Sequence, residues 1–248
     1  MNILAMCITW NRPKLLGRSI YSFLQQMDKN ARLFILDDAG QYKSQEHERW
    51  TLHSTKLRYP TMGDKRNALL DMAICQYPEI EGFMLWDDDD VYFPHATECV
   101  SKALDQWHWA QPRTAIEMSK NGGSLRRVET FNRTSDLINQ TFGYGGCWAW
   151  RINTFMELGR FPSTNDGEDA KVAGPCQEKY GPSANSTPDN EPWYYYNCQN
   201  NSISGEGQDF YTLRGTQEIT PVEEIPIGWN GTDIFSLPME PGVHLRSW

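Results

Sequence analysis

The sequence lacks a CxxC cysteine pair, an apolar run long enough to cross a bilayer, and a glycine-rich phosphate loop. Its six cysteines (Cys7, Cys75, Cys99, Cys147, Cys176 and Cys198) are scattered, which argues against a zinc knuckle or a redox dithiol. Cys7, Cys75 and Cys147 lie among apolar or small residues and are expected to be buried thiols. The opening apolar run, Met1 to Thr9, has no basic leader and stops at Trp10-Asn11-Arg12-Pro13. It falls short of the roughly 18 apolar residues of a spanning helix. The expectation is a soluble, cytoplasmic chain with no membrane insertion. Neither GxGxxG nor GxxxxGK(S/T) follows the first apolar run, which removes two common backbone cradles for phosphate. Basic residues are also in deficit. There are 23 Lys and Arg against 32 Asp and Glu, for a net charge of −9, and a field of that sign does not gather polyanions non-specifically. Internal repeats and low-complexity tracts are missing too.

What the chain has is a core. Hydrophobic residues make up 39% of its 248 positions, aromatics 12%, and ten of the aromatics are Trp. That is enough for one folded α/β domain over residues 1–248. Ile3 to Thr9 is nearly all apolar, as suits a strand buried on both faces. Pro13 opens a predicted helix to about Gln26. A second strand runs from Arg32 to Leu36, a helix is expected near Ser44 to His53, and Leu57 to Tyr59 reads as a short strand. Asp64 to Cys75 is a helix with Ala68, Leu69, Met72 and Ala73 as its stripe, and Gly82 to Trp86 is a strand. Helices follow from Phe93-Pro94 and over Thr154 to Leu158. Residues 112–150 read as strands with glycine turns, and 174–207 as a long loop around Trp193 to Tyr196. Alternating strands and helices argue for a mainly parallel sheet flanked by helices. Ligands then bind beyond the carboxyl ends of the strands.

Two of those strand ends are acidic: Asp37-Asp38 and Asp87-Asp88-Asp89-Asp90. Four adjacent carboxylates repel one another unless a cation or hydrogen bonds offset them. Hard divalent ions take oxygen ligands and share substrate phosphates. Strand alternation would send Asp87 and Asp89 to one side and Asp88 and Asp90 to the other. The plainer alternatives are a solvated acidic turn or a cap, with Asp90, for the next helix.

Five segments in order resemble the family 2-like glycosyltransferases of the GT-A fold. They are Ile8-Thr9-Trp10-Asn11-Arg12-Pro13, Ile35-Leu36-Asp37-Asp38-Ala39-Gly40, Gly63-Asp64-Lys65-Arg66-Asn67-Ala68, Asp87 to Pro94, and Leu158-Gly159-Arg160-Phe161 with Gly167-Glu168-Asp169. The resemblance spans about residues 3 to 172. It implies a GT-A, Rossmann-like mixed sheet, with residues 1–110 holding a nucleotide-sugar and residues 111–248 the acceptor half and tail. It also implies roles. Thr9, Asn11, Arg12, Arg66 and Asp88 would line the nucleotide-sugar, and Asp37 would accept from a base such as uracil. Asp87 would meet the ribose or the metal, and Asp89 would ligate Mn2+ or Mg2+. Asp169 would be the catalytic base, with Glu168 beside it. A late histidine, His244, would be a further ligand. Gly146 and Trp148 would lie at the sugar or acceptor, although Trp148 reads equally as core.

The implied activity is inverting transfer from a nucleotide-sugar donor, UDP-linked by expectation, to a hydroxyl acceptor. The acceptor classes left open are a glycan, a protein and a hydroxymethylated DNA base. For the last, Arg126, Arg127 and Arg133 form a candidate basic rim. A nucleotidyltransferase or a non-catalytic nucleotide-sugar-binding module on the same sheet are the alternatives.

Overall fold

The computed structural model describes residues 1–118, 125–129, 134–135, 140–141, 145–187, 191–196 and 221–228. In chain order the elements are β1 (Ile3–Thr9), α1 (Pro13–Leu24), β2 (Arg32–Asp37), β3 (Gln45–Glu46), β4 (Trp50–Ser54), α2 (Met62–Gln76), β5 (Gly82–Leu85), β6 (Val91–Tyr92) and α3 (Ala96–Leu104). There follow β7 (Trp109–Gln111), β8 (Thr114–Met118), β9 (Leu125–Glu129), β10 (Thr134–Ser135), β11 (Gln140–Thr141), β12 (Ala149–Arg151), α4 (Ile152–Glu157), α5 (Ala170–Tyr180), β13 (Ala184–Asn185) and β14 (Tyr194–Tyr196).

The main sheet has the order β13-β7-β12-β5-β1-β2-β4-β3. Its centre is parallel: β1 pairs with β2 and β5, and β2 with β4. β12 enters antiparallel beside β5. The chain leaves β1 toward β2 and β4, then returns to place β5 on the other side of β1. The carboxyl ends of β1 and β5 therefore flank a topological switch point, where open α/β sheets bind ligands. β1 suits this position because its apolar residues from Ile3 to Cys7 are buried on both faces. A second sheet, β6-β14-β8-β9, packs the aromatic run of β14 between β6 and β8.

α1 starts with Pro in its first turn, where the missing N–H is not needed. α2 is capped by Thr61, whose side chain accepts from the Asp64 amide, with Asp64 adding acidity to the first turn. Among the described residues, no helix is long and apolar enough to cross a membrane.

Several expectations are corrected. Ser44 to His53 holds strands β3 and β4, not a helix, because Leu33↔Trp50 and Ile35↔Leu52 pairing against β2 buries the apolar side chains. Leu57 to Tyr59 is irregular. α5 runs through Gly174-Pro175 into the stretch read as loop. Burial of Val172, Ala173 and Cys176 on one side outweighs the poor helix propensity of that pair. Cys75 lies exposed near the end of α2, unlike the buried Cys7 and Cys147.

A late segment returns to the first half of the chain. Val222 bridges in parallel to Tyr42, and its amide donates to the Gln41 carbonyl at 2.9 Å. The Pro226 carbonyl oxygen lies 2.2 Å from where a Cβ on Gly17 would stand. Only glycine lets α1 and this segment approach so closely.

Candidate active site

β5 stops at Leu85, and the extended course ends one residue later. The Trp86 amide still reaches the Met6 carbonyl at 3.0 Å. The Trp86 ring is buried against Tyr92, centroids 3.7 Å apart, and its indole N–H donates to Ser19. The chain then turns, with the Asp90 amide 3.4 Å from the Asp87 carbonyl. The turn replaces the expected alternation. Asp87, Asp89 and Asp90 each bring a carboxylate oxygen within 4.8 Å of the others. Asp88 faces β1 instead, accepting from the Thr9 hydroxyl at 2.7 Å and from the Arg12 guanidinium at 2.9 Å. Asp90 caps no helix: His95 precedes α3, and Asp90 takes the Tyr194 hydroxyl.

Cations brace this turn from the α1 side. Arg12 also reaches Asp89 at 3.1 Å, and Arg18 donates to the Asp89 carbonyl at 2.6 Å. The Asp89 carboxyl is nevertheless pushed up to about 7, by burial first and then by Asp88, with Arg12 opposing. Asp87 is raised as well, chiefly by burial, with Arg66 opposing and Asp88 and Asp169 adding. Carboxylates crowded together and partly withdrawn from water are raised in this way even with Arg12 and Arg66 beside them, and a divalent ion would lower them. The donor set is all oxygen and suits a hard divalent ion.

The opposite wall comes from α2 and the start of α5. Arg66 lies between two carboxylates, 3.2 Å from Asp87 and 2.9 Å from Glu168. Glu168 is buried, and its carboxyl is pushed up to about 7 by that burial, with Arg66 opposing and Asp169 adding. Asp169 is the N-cap of α5, its carboxylate accepting from the Ala170 amide at 2.7 Å. Between the walls runs Gly145-Gly146. A Cβ on Gly145 would stand 1.5 Å from an Asp169 oxygen, and one on Gly146 would stand 2.3 Å from an Asp87 oxygen. The two acidic groups thus sit against adjacent glycines. Tyr92 joins the halves: its hydroxyl accepts from the Asp87 amide and donates to the Gly146 carbonyl.

A third wall is the loop after β2. Asp37 is fully buried and closes that loop, accepting from the Ala39 and Gln41 amides and the Ser54 hydroxyl at 3.0, 2.9 and 2.8 Å. Asn11 has a left-handed backbone, φ 53°, and accepts from the Gln41 side chain at 2.9 Å. Beneath lies a buried pair that sequence reading did not single out. Lys65 donates to Asp38 and to the Thr9 carbonyl, while Arg58 pairs with Asp38 at 2.7 Å and covers the Trp10 ring. Burial lowers the Lys65 ammonium, with Asp38 opposing. The available signal was local: Lys65 precedes Arg66, and Asp38 follows Asp37.

The structure therefore brings Thr9, Arg12, Arg66, Asp87, Asp88, Asp89, Gly146, Glu168 and Asp169 into one cluster, with Asn11 and Asp37 at its edge. Trp148 does not join them. Its ring is buried edge-on to Trp109 and Trp150, so it presents no face to a sugar. Trp193, Tyr194 and Tyr195 are likewise buried. Arg126, on β9, pairs with Glu117. His244 and Arg133 lie outside the described residues. Sequence reading gave no role to Arg18 or Tyr92, and it missed Asp90's place beside Asp87 and Asp89.

No protein-family model matches the chain, and no curated protein does. Solved structures do match. Residues 1–349 of TarS from S. aureus, in complex with UDP-GlcNAc, align with a TM-score of 0.58 at 14% identity, covering 86% of this chain and 64% of that one. The same TarS fragment without a named ligand gives 0.55 at 15% identity, covering 80% and 61%. The mannosyltransferase PcManGT from Pyrobaculum calidifontis, in complex with GDP-Man and Mn2+, gives 0.54 at 13% identity, covering 81% and 58%. The chain thus spans less than two thirds of the length of these proteins. At such identities the likeness establishes the fold, a mixed and mainly parallel sheet flanked by helices, as the sequence led us to expect.

Proposed function

We infer that the chain is a divalent-cation-dependent, inverting glycosyltransferase that moves a sugar from a nucleotide-sugar to a hydroxyl acceptor. The observation carrying this reading is the convergence of two acidic groups on Gly145-Gly146: Asp169 against Gly145, and Asp87 and Asp90, grouped with Asp89, against Gly146. It occurs at the switch point of a sheet shared with proteins solved with UDP-GlcNAc and with GDP-Man and Mn2+.

In this reading Asp89 and Asp87, joined by Asp90 and by His244, hold Mn2+ or Mg2+. The bound ion supplies Lewis-acid stabilisation of the charge that develops on the departing diphosphate. Arg12 and Arg66, paired with carboxylates of the same cluster, add positive charge beside the same phosphates. Thr9, Asn11 and Asp88 line the nucleotide. Asp37, expected to accept from the base, is buried with both carboxylate oxygens already accepting, and instead shapes the wall for the base through the loop it closes. Asp169 accepts the proton of the attacking hydroxyl. The bond from the anomeric carbon to the phosphate oxygen breaks as the bond to the acceptor oxygen forms on the opposite face. Glu168, tied to Arg66, orients the pair. A UDP-sugar is the first donor to try. The acceptor is a hydroxyl of a glycan, a protein or a hydroxymethylated DNA base.

Calorimetric titration with UDP, GDP, CDP and ADP, with and without Mn2+, tests the reading. One nucleotide should bind only with the metal, and Asp89→Ala should abolish it. In the same titration extended to the nucleoside triphosphates, metal-dependent preference for a triphosphate over every diphosphate would favour a nucleotidyltransferase, and binding of a nucleotide-sugar with no sugar transfer or hydrolysis in a turnover assay would favour a non-catalytic module.

A further inference from the structure

We propose that Tyr194 is a positioning residue for the cation site, acting through Asp90. This rests on the glycosyltransferase reading above. Tyr194 lies in β14, 104 residues beyond Asp90 and outside every segment that resembles a known family. Antiparallel pairing sets it opposite Tyr92. Both rings are fully buried, and both hydroxyls point at the acidic turn. Tyr92 fixes the turn's backbone by accepting the Asp87 amide. Tyr194 fixes a side chain by donating to Asp90 Oδ2.

That bond has a geometric consequence. A carboxylate turns freely about its last torsion unless something holds its plane. Asp90 Oδ2 is confined by the Tyr194 hydroxyl and lies 3.1 Å from the Cβ position of Gly146. The plane is therefore set before a cation arrives. A carboxylate already oriented loses less freedom on ligating a metal, and its partner in the next layer tunes its affinity. The second sheet thereby becomes part of the metal site: β6 supplies Tyr92 and β14 supplies Tyr194.

The test is a Mn2+ titration followed by electron paramagnetic resonance on the full chain. Tyr194→Phe keeps the ring and removes one oxygen. It should weaken Mn2+ by about tenfold or more and change the spectrum of the bound ion. Tyr195→Phe, a neighbouring buried phenol, should bind Mn2+ like the parent. In an Asp90→Asn background, Tyr194→Phe should add no further loss. If Tyr194→Phe binds within twofold of the parent, if Tyr195→Phe weakens binding equally, or if the losses add, the inference is overturned while the metal reading stands. A parent that takes up no Mn2+ overturns both.

Discussion

Replacing Gly146 by Ala probes the site at its tightest point. The added Cβ would stand 2.3 Å from Asp87 Oδ2, 3.0 Å from its Cγ and 3.1 Å from Asp90 Oδ2. Gly146 sits in a short 3-10 turn with no positive φ, so space, not backbone conformation, opposes alanine. Non-bonded carbon and oxygen atoms settle near ~3.5 Å, so the Asp87 carboxylate must retreat by about 1 Å. It is held in place by Arg66 and, through its amide, by Tyr92, so retreat breaks the Arg66 pair. Overpacking of this kind costs about 1–3 kcal/mol of stability. For a chain of this size that is roughly 2–12 °C in Tm. A 1 Å misplacement at a reacting centre costs on the order of 100-fold in rate. Gly146→Ala should therefore stay folded while binding Mn2+ at least about tenfold more weakly. Scanning calorimetry and Mn2+ titration on parent and variant measure both quantities. Parent-like Mn2+ affinity in a folded Gly146→Ala would refute the claim that Asp87 and Gly146 share one tightly packed site.

Two further outcomes follow from the buried charges. Glu168 holds its proton up to about 7 in the fold against 4.5 ordinarily. Between those values the folded state binds the extra proton, so stability of the metal-free protein should fall as pH rises, with Glu168 contributing up to about 1.4 kcal/mol per unit and Asp89 adding to the slope. Glu168→Gln should make that slope in Tm shallower from pH 4.5 to 7, and an unchanged slope would contradict the assignment. Lys65→Met leaves Asp38 buried with Arg58 as its remaining cation. Because Arg58 still pairs with Asp38, urea unfolding should show a loss of about 1–3 kcal/mol, and no measurable loss would mean that Arg58 and water satisfy Asp38 without Lys65.

Much of the site was legible because its parts stand at strand ends. Thr9, Arg12, Asp87 and Asp89 all lie at or just beyond the carboxyl ends of β1 and β5, and a parallel sheet delivers such ends to one edge, whereas Asp169 comes in as the N-cap of α5. What was illegible depended on where the chain stops being extended. The period of two assigns Asp88 and Asp90 to one side only while the strand continues, and the turn after Trp86 separates them. The stretch from Ser44 to His53 was misread because its polar residues carry no strong period, and pairing with β2 decided the matter from outside. Trp148 was ambiguous by composition. Its neighbour Ala149 pairs with both β5 and β7, and that places the indole in the core. Tyr194 had no local signal, since its partner lies 104 residues away.

The bridge between Tyr42 and Val222 also sets a clock. Its partners are some 180 positions apart in the chain. At a synthesis rate of about 5–20 residues per second, Tyr42 waits on the order of 10–40 s for Val222 to be made. β1, β2 and β4 have all emerged by then, but the loop that Asp37 closes still lacks one neighbour. The edge of the cluster that holds Asn11 and Gln41 is thus a late assembly, finished by a closure spanning most of the molecule. Long closures form slowly, and this one can form only after Val222 has been made.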